Sequence, residues 1–312
     1  MKKITFIGAF ALMLVLAFFG CDNGEHTHTW KWTKSTVWGM EKGACNGCTK
    51  TRLRLSPDMI VQIPGGENIT MTSFMDSSDS YTVNLSAFKI CKYQVTQAQY
   101  EAITGINTSR FLDAVAEGEV QEKRPVEMVS WFDAVNFCNK LSVLEGLNPV
   151  YTITDRYPLD EYPILDATVT ADFSKNGYRL PTEAQWDYAC RAGSTGNFSK
   201  DILGNEVTFS NIGEYAWYAD NSSGISHEVG KKIANAFGLY DMHGNVFEWC
   251  WDFLDRYPSE PKTDYTGPVE GYPRVLRGGG WWNRATHAAH SFRASYTPTT
   301  FRGNFGFRVA LP

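Results

Sequence analysis

After Cys250 this 312-residue chain has no cysteine, and from Arg274 to Pro312 it has no aspartate or glutamate. The first absence denies the C-terminal segment a thiolate, the ligand that soft metal ions select. The second leaves it no paired carboxylates for acid–base work. No Ser/His/Asp arrangement elsewhere has a local context that suggests catalysis. A long hydrophobic run is missing too. Ile4 to Gly20 is apolar, but a spanning helix needs roughly 20 such residues. Following Lys2 and Lys3 and ending in "LAFFGC", residues 1–20 read as a secretory signal. Cys21 is then the acylated first residue of a lipoprotein, or an ordinary cysteine behind an uncleaved anchor. Either reading places the body outside the cytoplasm, in the cell envelope, with outer membrane or cell surface as the expected address.

Removing residues 1–20, which carry two lysines and no acids, moves the net charge from -5 to -7. Residues 274–312 hold six arginines, so residues 21–273 carry -13. Such an acidic body disfavours broad binding to DNA or RNA, which rests on phosphate neutralisation. A hydrophobic content of 43% and ten tryptophans suffice for a packed core.

Residues 21–55 differ in texture from the rest. His26, His28, Cys45 and Cys48 form an HxH…CxxC set, with Gly47 at the turn. Four such N and S donors suit tetrahedral zinc. A Cys45–Cys48 disulfide beside solvated histidines is the alternative, since the compartment is oxidising. Cys91, Cys138, Cys190 and Cys250 sit in apolar contexts, as buried thiols do.

Three helix starts carry their own chemistry. Thr96 with Gln99, and Thr182 with Gln185, are capping boxes, with Gly105 and Gly193 as the stops. Ser130 caps a third helix, whose apolar face runs through Trp131, Ala134, Val135, Cys138, Leu141 and Leu144. Strands are expected at 59–63, 81–90, 275–277 and 305–310. Few helices, short strands and long aromatic-rich connections indicate an α+β fold with much irregular structure. The connection from Ser194 to Ala236 exceeds an ordinary loop, so it is functional or packed by its own aromatics.

Six motifs occur in order over residues 56–312: "VQIPGG", "FKICKYQVTQAQY", "RPVEMVSWFDAVNFCNKLS", "YRLPTEAQWDYACRAG", "NAFGLYDMHGNVFEWCWD" and "RVLRGGGW…GFRVA". Together they resemble the formylglycine-generating-enzyme (sulfatase-modifying-factor) domain, a variant of the C-type lectin fold. That family's enzymes oxidise a substrate cysteine with copper held by two cysteines. Matched to this chain, the first falls on Asn283 and the second near His287 or Ala288, so the resemblance implies neither copper nor oxidase activity. It also implies a structural calcium ion held by the Asp241 carboxylate, the Gly244 and Val246 carbonyls and the Glu248 carboxylate.

The ending is similar to another branch, the variable proteins of diversity-generating retroelements, and the lipoprotein signal to spirochaetal members of that branch. The fixed frame falls on Arg277, Gly278, Gly279, Trp281, Ala285, Arg293, Pro298, Gly306, Phe307 and Arg308. Within about 277–308, the positions implied to vary and to bind a ligand are Trp282, Asn283, Arg284, Thr286, His287, Ser295, Tyr296, Thr300, Phe301, Arg302 and Asn304. Their mix of Trp, Tyr, Arg and small polar residues is that of paratopes. The expected partner is a protein or cell-surface molecule bound by a monomer, with a membrane reached through Cys21 and no nucleic acid. Arg293 and Arg308 are expected to pair with carboxylates of the body, Trp281 to be core and Trp282 exposed. The alternative is an oxidase or sulfatase-modifying enzyme with a rearranged centre.

Overall fold

The computed structural model describes residues 28–113 and 115–312. The signal segment, Cys21 and His26 lie outside the described residues.

Helices α1 (Gln97–Thr104), α2 (Trp131–Glu145) and α3 (Glu183–Arg191) start at Thr96, Ser130 and Thr182. Each cap side chain accepts from the backbone three residues on, and a side chain there answers the cap's own N–H. In α2 that partner is Asp133. Gly105 ends α1 at φ 89°, whereas Ala192, one residue before the expected Gly193, takes the left-handed turn after α3.

The body folds around a four-stranded sheet in the order Ala294–Tyr296, Arg274–Arg277, Phe247–Phe253, Phe305–Gly306. Two indole bonds lock it to the start of α2: Trp131 Nε1 donates to the Cys250 carbonyl at 2.9 Å and Trp249 Nε1 to that of Val129 at 3.0 Å. The final strand, Ala310–Leu311, returns beside Phe88–Cys91, which pairs with Ile60–Ile63.

Two expected strands are each broken in two. Residues 81–90 divide into Ser80–Leu85 and Phe88–Cys91, which belong to different sheets. At the break the Ser86 N–H and hydroxyl both donate to the Asp264 carboxylate, at 2.8 and 2.7 Å. Residues 305–310 divide into Phe305–Gly306 and Ala310–Leu311, which also belong to different sheets, with Arg308 wholly buried between them. The long connection packs by its own aromatics: Phe198, Val207, Ile212 and Tyr215 form a small core beneath Ala288 and Ala289. It therefore supports the C-terminal segment from below.

At the N-terminal end β1 (Trp30–Lys34), β2 (Met40–Cys45) and β3 (Thr51–Leu55) form a separate antiparallel sheet. Met40 and Leu55 join the main core, and the Leu55 N–H donates to Glu145 at the end of α2.

Candidate functional site

The glycine triplet fixes the turn from which the C-terminal segment is displayed. Gly278 and Gly279 have φ of 93° and 74°, a region that L side chains avoid. A Cβ on Gly279 would also meet the His287 carbonyl and Ala288 nitrogen at 3.0 Å. Beyond the turn the tryptophans part as expected. Trp281 is buried, its Nε1 donating to the Gly303 carbonyl at 2.7 Å and its ring edge-on to Phe111 at 5.2 Å. Trp282 is 71% exposed.

The six arginines of the segment divide by whether a buried partner waits for them. Arg308 meets Glu248 through two bonds of 2.7 and 2.8 Å, with both residues fully buried. Arg293 holds Glu183 bidentately at 2.7 and 2.8 Å, and Arg277 reaches the same carboxylate at 2.9 Å. Arg274 is sandwiched between the rings of Trp131 and Phe253, at 3.8 and 3.4 Å. Burial lowers its guanidinium to about 9. Arg284 and Arg302 are exposed.

Trp282, Asn283, His287, Tyr296, Arg302 and Asn304 come together around an open cleft of about 810 Å³. Arg302 lies over the Tyr296 ring at 4.5 Å, and Tyr296 packs on Phe305 at 4.9 Å. Asn304 donates to the Asn283 side chain at 3.4 Å. His287 sits against Phe292, 4.4 Å between rings, and burial, helped by the Arg284 charge, lowers its basicity. Arg284, Thr286, Ser295, Thr300 and Phe301 do not line this cleft. Strand alternation sends Ser295 to the face opposite Ala294 and Tyr296, which do line it. Thr300 bonds instead to Thr297, 2.8 Å between hydroxyls.

The cleft also has walls that were not among the expected binding residues. Arg110, Met128, Phe247 and Phe292 complete it. Met128 is brought in by its own N–H, which donates to the Arg302 carbonyl at 2.9 Å. No periodicity distinguishes these positions in the sequence.

A family model described as the sulfatase-modifying factor enzyme 1-like domain matches residues 46–312. The chain belongs to that family. It is 34% identical over 282 residues to the chaperone protein LppX of Paenibacillus barcinonensis, covering 85% of this chain and 92% of that one. It is 31% identical over 284 residues to the formylglycine-generating enzyme of Streptomyces coelicolor, covering 80% and 88%. Among solved structures it is similar to Treponema denticola variable protein 1, with a TM-score of 0.74 and 35% identity over 91% of this chain and 99% of the other.

Asn283 and His287 both face the cleft, while Ala288 is buried. Cys91, Cys138, Cys190 and Cys250 are all buried, and none lines the cleft. His290 is occupied elsewhere, with Asp187 at 2.8 Å and the Gly196 carbonyl at 2.9 Å.

The residues of the calcium expectation lie around Gln94. Gly244, Val246 and Glu248 do offer converging oxygens, but Asp241 contributes its backbone carbonyl rather than its carboxylate. All four converge on a side-chain amide. Gln94 Nε2 donates to the Asp241, Gly244 and Val246 carbonyls at 3.2, 3.3 and 3.0 Å and to Glu248 Oε1 at 2.9 Å. The Asp241 carboxylate turns away to accept from the Gly230 N–H at 2.8 Å, and burial raises it to about 6. Glu248 is already neutralised by Arg308 and receives the Trp186 N–H at 2.7 Å. An ion would have to displace the amide and share Glu248 with Arg308. The amide has only two protons for these four oxygens, and Gln94 Oε1 and Asp241 Oδ1 are buried without a hydrogen-bond partner.

Proposed function

We propose that this protein is a non-enzymatic, surface-anchored receptor whose cleft binds a protein or cell-surface molecule through residues displayed between 277 and 308. The observation that carries the reading is the meeting of Trp282, Asn283, His287, Tyr296, Arg302 and Asn304 around one open cleft, at the turn where the family's enzymes place their thiolates. An exposed tryptophan, a tyrosine and an arginine give large contact area at little rotamer cost. A frame held by buried arginine–carboxylate pairs limits the ordering needed on association. Arg284, Thr286, Thr300 and Phe301, outside the cleft but on the same segment, extend the contact face at its rim. Lipidation at Cys21 tethers the receptor to the cell envelope, and the displayed positions are those that a retroelement would diversify.

Capture from an array of cell-surface proteins, with each captured ligand then titrated against Trp282→Ala and Arg302→Ala, tests the site. Affinity should fall at least about tenfold for a central aromatic anchor. Unchanged affinity for every captured ligand would overturn the assignment. A reverse transcriptase gene nearby, with a near-copy of the DNA encoding 277–308, is the matching genomic test.

The likeness to the Streptomyces coelicolor formylglycine-generating enzyme favours a second reading, cysteine oxidation at a rearranged centre. Copper-dependent turnover of a cysteine-containing sulfatase peptide would establish it in place of the receptor. Asn283 offers copper(I) no thiolate, so no turnover is expected.

A further inference from the structure

The N-terminal sheet holds a cluster independent of the cleft. His28 directly precedes β1, Cys45 ends β2 and Cys48 lies in the β2–β3 turn. Their donor atoms all lie within 4.8 Å of one another. His28 Nδ1 is 3.1 Å from Cys45 Sγ and 3.6 Å from Cys48 Sγ. Strand register builds the arrangement: Trp30 pairs with Cys45, and the Asn46 N–H donates to the Thr29 carbonyl at 3.0 Å, which holds the turn against the residues before β1.

We propose that His28, Cys45 and Cys48 bind a structural zinc ion that clasps this sheet. Zinc bonds of about 2.3 Å to sulfur and 2.0–2.1 Å to nitrogen, at tetrahedral angles, set S and N about 3.5 Å apart. The two observed separations bracket that value. A disulfide is absent: Cys45 and Cys48 are not bonded to each other. Two thiolates and an imidazole favour zinc over hard cations, and zinc has no redox chemistry to oxidise its own ligands outside the cytoplasm.

The clasp supplies what the local sequence lacks. Near the body the sheet is fastened by Met40 and Leu55, but toward the other end its buried residues are Gly43, which has no side chain to pack, and Cys45. Trp30 and Trp32 on β1 are half-buried, covered mainly by the Arg52 and Arg54 guanidiniums at 4.5 and 3.9 Å. A metal there ties the β1 edge to the end of β2 and the β2–β3 turn of a small sheet that apolar burial leaves open.

The mature chain, purified without added metal and dialysed, should contain about one zinc per molecule by plasma mass spectrometry. Cys48→Ser should lose most of that zinc and expose residues 28–55 to protease, while near-ultraviolet circular dichroism of the body stays unchanged. Because Cys48 is half-buried, the substitution is tolerable, and His28→Gln repeats the test without touching a thiol. Cobalt exchanged into the wild type should show thiolate-to-metal charge transfer and tetrahedral visible bands. A metal-free protein with Cys45 and Cys48 oxidised together would overturn the proposal, as would another metal in zinc's place. Zinc retained in both variants would overturn it too. None of these outcomes depends on what the cleft binds.

Discussion

Arg302 and Arg308 stand six residues apart in one segment and do opposite things. Arg308 is fully buried against Glu248, with further bonds to the Cys91, Lys92 and Tyr240 carbonyls; Arg302 is exposed at the mouth of the cleft over Tyr296. Charge alone does not assign the role. What separates these two is whether the fold has placed a buried carboxylate within reach. A buried charge must be paired, whereas an exposed one is free to meet a ligand. The frame can therefore be rigid while its neighbours are replaceable.

The largest effect should come from breaking the frame. Arg308→Ala leaves Glu248 buried and half-unpaired, at a cost of about 3–5 kcal/mol. Denaturant midpoints would show it, and a loss like that of Arg302→Ala would erase the distinction between the two arginines. Next comes Gly279→Ala, which forces a Cβ onto the His287 backbone at positive φ. About 1–3 kcal/mol of destabilisation is expected from strain of that kind. On the display side, Trp282→Ala should change stability by no more than about 0.5 kcal/mol while weakening ligand capture. Thermal unfolding beside binding titrations separates the two.

A smaller effect sharpens the picture of the body that carries both arginines. Burial raises Glu127, Glu145 and Asp252 each to about 7, against ordinary carboxyl values near 4. The native state thus holds protons that the unfolded chain has released, so stability falls as pH rises through this window. Melting temperature should be higher at pH 6.5 than at 8.5, and Glu127→Gln, beneath Gly303 of the display segment, should remove part of the difference. His243, lowered by burial to about 4, acts oppositely: its contribution is present above pH 6.5 and is lost as pH falls from there toward 4. Least of all, calcium or a calcium chelator should leave the melting temperature of the body unchanged, because Gln94 fills the place. A clear stabilisation by calcium would refute that geometry.

Much of this was legible in the chain itself. The caps at Thr96, Ser130 and Thr182 work within three residues of themselves, so local spacing revealed them. The parting of Trp281 from Trp282, and the carboxylate partners of Arg293 and Arg308, followed from the family frame. Other features were hidden because they depend on contacts across the chain. Asp264 breaks a strand at Ser86 from 178 positions away. Gln94 reads as one more polar residue before a helix until three carbonyls from 241–246 close around its amide. Arg110 and Met128 become cleft walls only when their loop is laid beside Gly303 and Arg302.

The sequence by itself determined which fold forms and which segment is displayed, through capping residues, glycines at positive φ and an ordered set of motifs. It determined as well that the displayed segment holds no cysteine. Tertiary structure alone decided which arginines are structural, which displayed residues share a cleft and which carbonyls close around the Gln94 amide. The reason is physical: backbone geometry and capping are settled over a few residues, but the cost of burying a charge or an amide depends on partners that only the folded chain brings within about 3 Å.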